Sequence, residues 1–118
     1  RDVKEDYEHG YVYLPQLMLD EFEVSPTELG QSTVSPNLRH LIQSLSEEAF
    51  SLYYSKFKVL KLLEQRQAKI ALRLAIDGYE AILKKIKHKN YDILQGRQIT
   101  SNLVKSWLYF QIRLRYLW

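Results

Sequence analysis

The chain has 118 residues and a mass of 14.1 kDa, which is enough for one domain with a core but not for two. It contains no cysteine, so disulfides, thiolate metal sites and thiol catalysis are excluded. No apolar run approaches the roughly 20 residues of a membrane-spanning helix, and no signal peptide is recognisable. We therefore predict no membrane partner and a cytoplasmic location.

Charge divides the sequence into two unlike halves. Residues 1–50 hold ten acidic and three basic residues, for a net charge of −7, whereas residues 51–118 hold four acidic and fourteen basic residues, for +10. This asymmetry predicts a polyanionic partner for the basic half, although folding of the acidic half onto it would explain the pattern equally well. We predict an acidic arm with a short helix and a Ser/Pro linker over 1–35, and a basic helical bundle over 36–118.

The acidic part contains two weak helix signals. Residues 1–13 are charged and predict an irregular arm, after which Pro15 suits the first position of a short helix over 15–23. Ser25 and Glu28 have the spacing of a capping box, which predicts a single helical turn.

The middle of the chain has stronger helix signals. Ser35 and Pro36 are typical of a helix start. The stretch 46–90 contains no proline and one glycine, and its apolar residues recur at steps of three or four. Its apolar face rotates near Asp77–Gly78, which favours a break there over one long helix that packs against different neighbours.

The last third predicts a loop and then a helix. Residues 91–99 predict a loop, and Thr100, Ser101 or Asn102 can cap the helix after it. The apolar residues beyond that cap recur at steps of four and three: Leu103, Trp107, Phe110, Leu114 and Leu117. We expect the first four of them in the core. The predicted fold class is all-α, a bundle of four to five helices.

One constellation suggests binding chemistry. Cations recur opposite the apolar stripe of the central stretch over sixteen residues, roughly 22 Å of helix, and more of them crowd its end. The candidate nucleic-acid-binding residues are Lys58, Lys61, Arg66, Lys69, Arg73, Lys84, Lys85, Lys87 and Lys89. Such a face could follow a phosphate backbone without reading its sequence. A solvated helix face is the alternative.

No pattern in the sequence indicates catalysis. The histidines His9, His40 and His88 lie on separate predicted elements, and no Gly-rich phosphate loop or nucleophile motif is present. We therefore predict that the chain is not an enzyme and has no catalytic residue. We also predict that it binds no metal, no cofactor and no small-molecule substrate. The residues predicted to contact another protein subunit are Arg113, Arg115, Tyr116 and Trp118.

A small, basic, helical chain without cysteine resembles the small subunits of CRISPR effector complexes. The residues that carry the resemblance are Lys58, Lys61, Lys69, Arg73, Lys84, Lys85 and Lys87. The resemblance implies a ribonucleoprotein subunit of antiviral defence that holds DNA or guide RNA by its backbone beside other protein subunits. The alternative is a helical protein-interaction domain that docks its basic face on an acidic partner.

Overall fold

A computed structural model describes residues 1–116, and no β-strand occurs among them. This part of the chain forms six α-helices and one short 3-10 helix. The elements are α1 (Val3–Glu8), α2 (Gln16–Glu21), the 3-10 helix (Pro26–Gly30), α3 (Pro36–Tyr53), α4 (Lys56–Leu62), α5 (Arg66–His88) and α6 (Asn102–Arg115). The prediction of an all-α fold is confirmed.

The 23-residue helix α5 is the central element, and it packs against α3, α4 and α6. It runs through Gly78 without interruption, so the predicted break there is wrong. Glycine inside a helix costs only about 1 kcal/mol relative to alanine. Packing along a long helix outweighs that cost.

The helices are interrupted instead at two places that no sequence signal marks. Helix α3 continues to Tyr53, and α4 ends at Leu62 before α5 starts at Arg66. Neither connection contains glycine or proline. The sequence analysis expected a break in the stretch 46–90 only near Asp77–Gly78, so it missed both of these interruptions.

Predicted caps are confirmed where the signal was local. The Ser25–Glu28 capping box starts the 3-10 helix, and the Ser35 hydroxyl accepts a hydrogen bond from the Leu38 backbone N–H at 3.1 Å. Ser101 caps α6 in the same way. The irregular arm predicted over residues 1–13 is partly wrong, since α1 lies within it.

One apolar core joins both parts of the chain. Its buried members come from α2, the connection after it, the 3-10 helix, α3, α5 and the loop after α5: Leu19, Val24, Leu29, Leu38, Leu41, Ile42, Ile82, Ile86, Tyr91, Ile93 and Leu94. The core thus extends across position 35. The division into an acidic arm and a basic bundle stays a prediction.

The apolar face of α6 lies outside that core. Leu103 is 84% exposed, Trp107 58%, Phe110 56% and Leu114 48%, so the expectation that they are core residues is wrong. Only Ile112 of this helix is buried. Across the described residues, no helix is long and apolar enough to cross a membrane.

Candidate functional site: an apolar cleft with a cationic mouth

A cleft of about 630 Å³ lies between α5 and α6. Its lining is mainly apolar and comprises Ala71, Leu74, Ala75, Gly78, Tyr79, Ile82, Ile99, Thr100 and Leu108, with Arg1, Arg97 and Lys105 as its cations. A volume of several hundred Å³ with few polar groups is typical of a small-molecule site.

Small residues on α5 leave room for the cleft. Ala71, Ala75 and Gly78 follow one another at steps of four and three, so they lie on one face of the helix. A Cβ added at Gly78 would meet no atom within 4 Å. The Thr100 hydroxyl donates to the Gly78 carbonyl at 3.1 Å, which fixes the loop before α6 against this face. The small side chains on this face of α5 and the fixed position of the loop therefore form the cleft.

Two of the three cations pair with one carboxylate, that of Asp2. Arg1 Nε lies 3.0 Å from both carboxylate oxygens of Asp2, and Arg97 Nε lies 2.9 Å from Asp2 Oδ1. The Arg1 guanidinium also lies over the Tyr79 ring, 5.7 Å from its centroid. Lys105 also lines the cleft, so the lining contains three cations and no acidic residue.

The loop after α5 brings Arg97 to this place. Gly96 has a φ of +101°, a backbone conformation that glycine adopts without strain. The Gln98 backbone N–H donates to the Arg1 carbonyl at 3.4 Å, and Lys85 Nζ donates to the Ile99 carbonyl at 3.1 Å. These bonds hold the loop between α1 and α5.

A second charged group lies on α5 away from the cleft lining. Lys56 Nζ lies 2.6 Å from Glu80 and 3.3 Å from Asp77, and Arg73 Nε lies 2.6 Å from Asp77. The hydrogen bond from Lys56 lowers the pKa of Glu80, with a further contribution from Lys84. We call these five residues the α4–α5 ion cluster, since Lys56 connects α4 to α5.

An aromatic ring covers part of this ion cluster. Arg73 Cζ lies 5.1 Å and Lys56 Nζ 5.6 Å from the centroid of the Phe57 ring. Burial raises the pKa of the nearby Tyr53, and the Glu80 carboxylate raises it further. The ion pairs of this cluster are thus partly shielded from water, and they connect α4 to α5.

The structure separates the predicted basic face. Lys58 and Lys61 lie on α4, whereas Arg66, Lys69 and Arg73 lie on α5 beyond the break. Arg73 is 9% exposed and paired with Asp77, so it is not a surface cation. Near the end of α5, Lys84 pairs with Glu80 and Lys85 binds the Ile99 carbonyl, while Lys87 and Lys89 are exposed. The predicted stripe is therefore interrupted between α4 and α5, although Lys61, Lys69 and Arg73 line a common groove.

The predicted protein-interface residues lie at the end of α6. Arg113 and Arg115 are exposed and Tyr116 is partly buried, whereas Trp118 lies outside the described residues. A role for them in contact with another protein stays a prediction. Within residues 1–116 no group of three or more acidic or histidine side chains could hold a metal ion.

The cleft residues were missed by the sequence analysis. Arg1 and Arg97 are far apart in the chain, and no sequence pattern indicates that both approach Asp2. The signal that could have indicated the cleft is the row of small residues Ala71, Ala75 and Gly78. A row of small residues on one helix face leaves space beside the helix.

Comparison with known proteins identifies relatives. A family model described as squalene/phytoene synthase matches residues 1–104. The chain is 37% identical over 97 residues to the phytoene synthase of Thermus thermophilus, covering 82% of this chain and 33% of that protein. It is 26% identical over 117 residues to the 4,4'-diapophytoene synthase of Staphylococcus haemolyticus, covering 98% of this chain and 40% of that protein.

A solved structure has the same fold. A dehydrosqualene synthase crystallised in complex with a ligand superposes with a TM-score of 0.79 at 26% identity. The match covers 97% of this chain and 40% of that chain. This chain therefore spans between a third and two fifths of the length of these relatives.

These matches contradict the resemblance to CRISPR small subunits. That resemblance depended on helix content and charge, which unrelated helical proteins share, and not on a motif. The relatives are synthases, so the predictions of a non-enzymatic chain, of nucleic-acid partners and of no small-molecule substrate are wrong. The protein-interaction alternative gains no support either.

Proposed function

Because the chain belongs to the squalene/phytoene synthase family, we propose that it forms part of an enzyme that joins two isoprenoid diphosphates head to head. The substrates proposed are isoprenoid diphosphates, small molecules with a long hydrocarbon tail and an anionic head. Since the chain spans 33% to 40% of the relatives' length, the complete activity is proposed for the whole synthase.

The observation that carries this proposal is that apolar side chains and three cations line the same cleft. A hydrocarbon tail gains about 0.8 kcal/mol for each CH₂ group that it buries, and the α5 wall offers apolar surface for it. A diphosphate head gains charge-assisted hydrogen bonds from arginine, which binds phosphate oxygens in pairs. Arg1 and Arg97 are the arginines in reach of a ligand that lies along Ala75 and Gly78.

The same arrangement suits the departure of the head group. When the bond between carbon and diphosphate oxygen breaks, the oxygen keeps the electron pair and negative charge grows on the diphosphate. Fixed cations near that oxygen stabilise the developing charge without reorganising. The apolar walls would face the carbon that has lost the pair, although Tyr79 and Ile99 are each 52% exposed and leave one side of the cleft open to water.

A divalent cation would fit this site only together with the head group. Asp2 and Asp6 lie one helical turn apart at the start of α1, and the described residues supply no third ligand beside them. Mg²⁺ is commonly held by one or two carboxylates plus substrate phosphates. Asp2 and Asp6 would therefore be the protein ligands, and the cation would neutralise part of the diphosphate charge.

The proposal is tested by separating head from tail. Binding of farnesyl diphosphate, of farnesol and of inorganic diphosphate is measured by titration calorimetry with the chain and with variants. Arg97→Gln should weaken farnesyl diphosphate and inorganic diphosphate by about 10- to 100-fold, because one charged hydrogen bond contributes about 1.5–3 kcal/mol. It should leave farnesol unchanged.

The complementary variant fills the tail site. Gly78→Phe places a ring in the open space of the cleft, so it should weaken farnesyl diphosphate and farnesol but not inorganic diphosphate. Gln67→Phe, at an exposed position of α5 outside the cleft lining, controls for the added ring. Equal binding of farnesyl diphosphate by parent, Arg97→Gln and Gly78→Phe would refute the proposed site.

A further inference from the structure

A second, smaller groove lies on the face of α5 that points away from the cleft. At about 100° per residue, Lys69 and Arg73 project from α5 roughly opposite to Ala71, which lines the cleft. The groove has a volume of about 260 Å³, and we call it the rear groove. Its lining contains four cations and no acidic residue: Phe57, Leu60, Lys61, Lys69, Arg73, Arg115 and Tyr116.

The four cations of the rear groove come from three different helices. Lys61 belongs to α4, Lys69 and Arg73 belong to α5, and Arg115 is the last residue of α6. Lys69 and Arg73 are one helical turn apart, where two like charges repel each other. Within residues 1–116, no carboxylate forms an ion pair with Lys61, Lys69 or Arg115. The rear groove therefore concentrates positive charge that the described part of the chain does not neutralise.

Arg73 gives the rear groove a fixed donor. Its Nε donates to Asp77 at 2.6 Å, its guanidinium lies over the Phe57 ring, and the residue is only 9% exposed. The ion pair with Asp77 uses one nitrogen, so the terminal nitrogens of this guanidinium remain as donors. Arginine donates paired hydrogen bonds to phosphate oxygens in a fixed geometry. The groove thus combines one positioned arginine with cations on flexible side chains.

We propose that the rear groove binds a small free polyphosphate, of the size and charge of inorganic diphosphate. The oxygens of one such anion can accept hydrogen bonds from cations of all three helices. The groove is smaller than the roughly 300–1,000 Å³ of sites for drug-sized ligands, so it would not enclose a long hydrocarbon tail. A free anion can also reach the buried Arg73, which a lipid head group held in a flat bilayer surface reaches less easily.

A bound diphosphate would connect the three helices. Helix α6 packs on α5, and Lys105 and Leu108 of α6 line the cleft. An anion held by Lys69 and Arg115 would fix the end of α6 against α5, and it would stabilise the folded chain by binding only to it. The condensation proposed above releases diphosphate, so this product would act back on a wall of the cleft. That consequence rests on the proposed function, whereas binding in the rear groove does not.

The test first weakens the cleft mouth, because diphosphate is also expected to bind there. Titration calorimetry with inorganic diphosphate, without divalent cations, is therefore done on the Arg97→Gln chain. In that background Lys61→Gln with Lys69→Gln should weaken binding by about 10-fold or more, since one charged hydrogen bond contributes about that factor. Lys58→Gln with Lys87→Gln is the matched control, because it removes one exposed lysine each from α4 and α5 outside the groove lining. This control should bind as the Arg97→Gln chain does.

Thermal unfolding gives a second readout. Diphosphate should raise the melting midpoint of the Arg97→Gln chain and of the control pair, and it should raise that of the groove pair much less. Arg115→Gln should reduce the shift as well, because α6 takes part in the site. Without diphosphate all of these variants should melt at the midpoint of the Arg97→Gln chain, since the substituted side chains form no ion pair among the described residues.

Three results would overturn the proposal. The Arg97→Gln chain could bind no diphosphate, or the groove pair and the control pair could weaken binding equally, which would indicate general positive charge. Vesicles of phosphatidylglycerol could also bind through Lys61 and Lys69 where free diphosphate does not, which would indicate a lipid head group. None of these measurements contains farnesyl diphosphate. Binding of diphosphate in the rear groove, with no binding of farnesyl diphosphate in the cleft, would refute the proposed function alone, so the two failures are distinguishable.

Discussion

Two groups of cations lie beside α5, and they differ in how much of their charge is already neutralised. In the α4–α5 ion cluster, Asp77 and Glu80 accept short contacts from Lys56 and Arg73, whose side chains are only 13% and 11% exposed. At the cleft mouth, Arg1 and Arg97 pair with Asp2, Arg97 is 49% exposed, and Lys105 also lines the cleft. Every cation of the first group contacts a carboxylate of the same chain, whereas Lys105 of the second group contacts none among the described residues.

This difference explains why counting cations led to the wrong function. Arg73 was selected from the sequence for its place in a basic stripe, yet that side chain is the most deeply paired of the set. Arg97 was passed over because it stands in a loop with no periodicity. Excess charge beside a concave apolar surface indicates a ligand site better than the number of cations does.

The largest effect on stability is expected from breaking the ion cluster. Asp77→Ala removes the carboxylate that pairs with Arg73 and leaves a buried cation without a partner. Such a loss costs about 3–5 kcal/mol, and urea denaturation measures it. Asp20→Ala, at an exposed position on α2, should change the free energy of unfolding by less than about 0.5 kcal/mol.

A double variant sharpens that result. Arg73→Met with Asp77→Leu replaces the pair by apolar side chains of similar size, which is often neutral or stabilising for a buried pair. Recovery of most of the stability lost by Asp77→Ala would identify the unpaired charge as the cause. A midpoint for Asp77→Ala equal to that of the parent would show that the cluster does not stabilise the fold.

The same cluster should respond to acid. The pKa of Glu80 in the folded chain lies below its ordinary value of 4.5, because Lys56 donates to the carboxylate. Its contribution to stability is therefore present above about 4.5 and is lost as pH falls through the lowered pKa. Glu80→Gln should show a shallower loss of stability on acidification when urea midpoints are compared across this range. Parallel curves for parent and variant would contradict this assignment.

Gly78 distinguishes stability from binding at the cleft. Gly78→Ala should stabilise the chain by up to about 1 kcal/mol, since α5 gains helix propensity and the added methyl meets no atom within 4 Å. The same methyl enters the cleft, so binding of farnesyl diphosphate should weaken slightly. A loss of stability would mean that the space beside Gly78 is filled. Thermal unfolding and calorimetry measure the two effects on one sample.

Features of the fold that depend on neighbouring residues could be predicted from the sequence, whereas features that depend on contacts between distant residues could not. Caps at Ser25, Ser35 and Ser101 depend on residues three positions away. Ser25 and Ser35 were predicted, and Ser101 was one of three candidates for the cap of α6. The break between α4 and α5 and the buried loop residues Ile93 and Leu94 depend on tertiary packing, which no local pattern reports. The cleft needed Arg1 and Arg97 to meet at one carboxylate, so only a folded chain could reveal it.

Substitution of Arg97 at the cleft mouth is expected to have the smallest effect on stability and the largest effect on binding. Arg97 is half exposed and pairs with Asp2, and exposed ion pairs contribute about 0–1 kcal/mol. Arg97→Gln should therefore change the urea midpoint little. The same change removes a cation from the excess that a diphosphate would meet, so affinity for farnesyl diphosphate should fall by about 10- to 100-fold.

Arg97→Lys separates charge from geometry at this position. Lysine keeps the cation but cannot donate two parallel hydrogen bonds to phosphate oxygens, so its binding should lie between those of the parent and Arg97→Gln. Arg113→Gln, at an exposed position near the end of α6, is the matched control and should bind as the parent does. If Arg97→Gln and Arg113→Gln weakened binding equally, general positive charge would explain the affinity. The difference in pairing between the ion cluster and the cleft mouth would then not explain where a diphosphate binds.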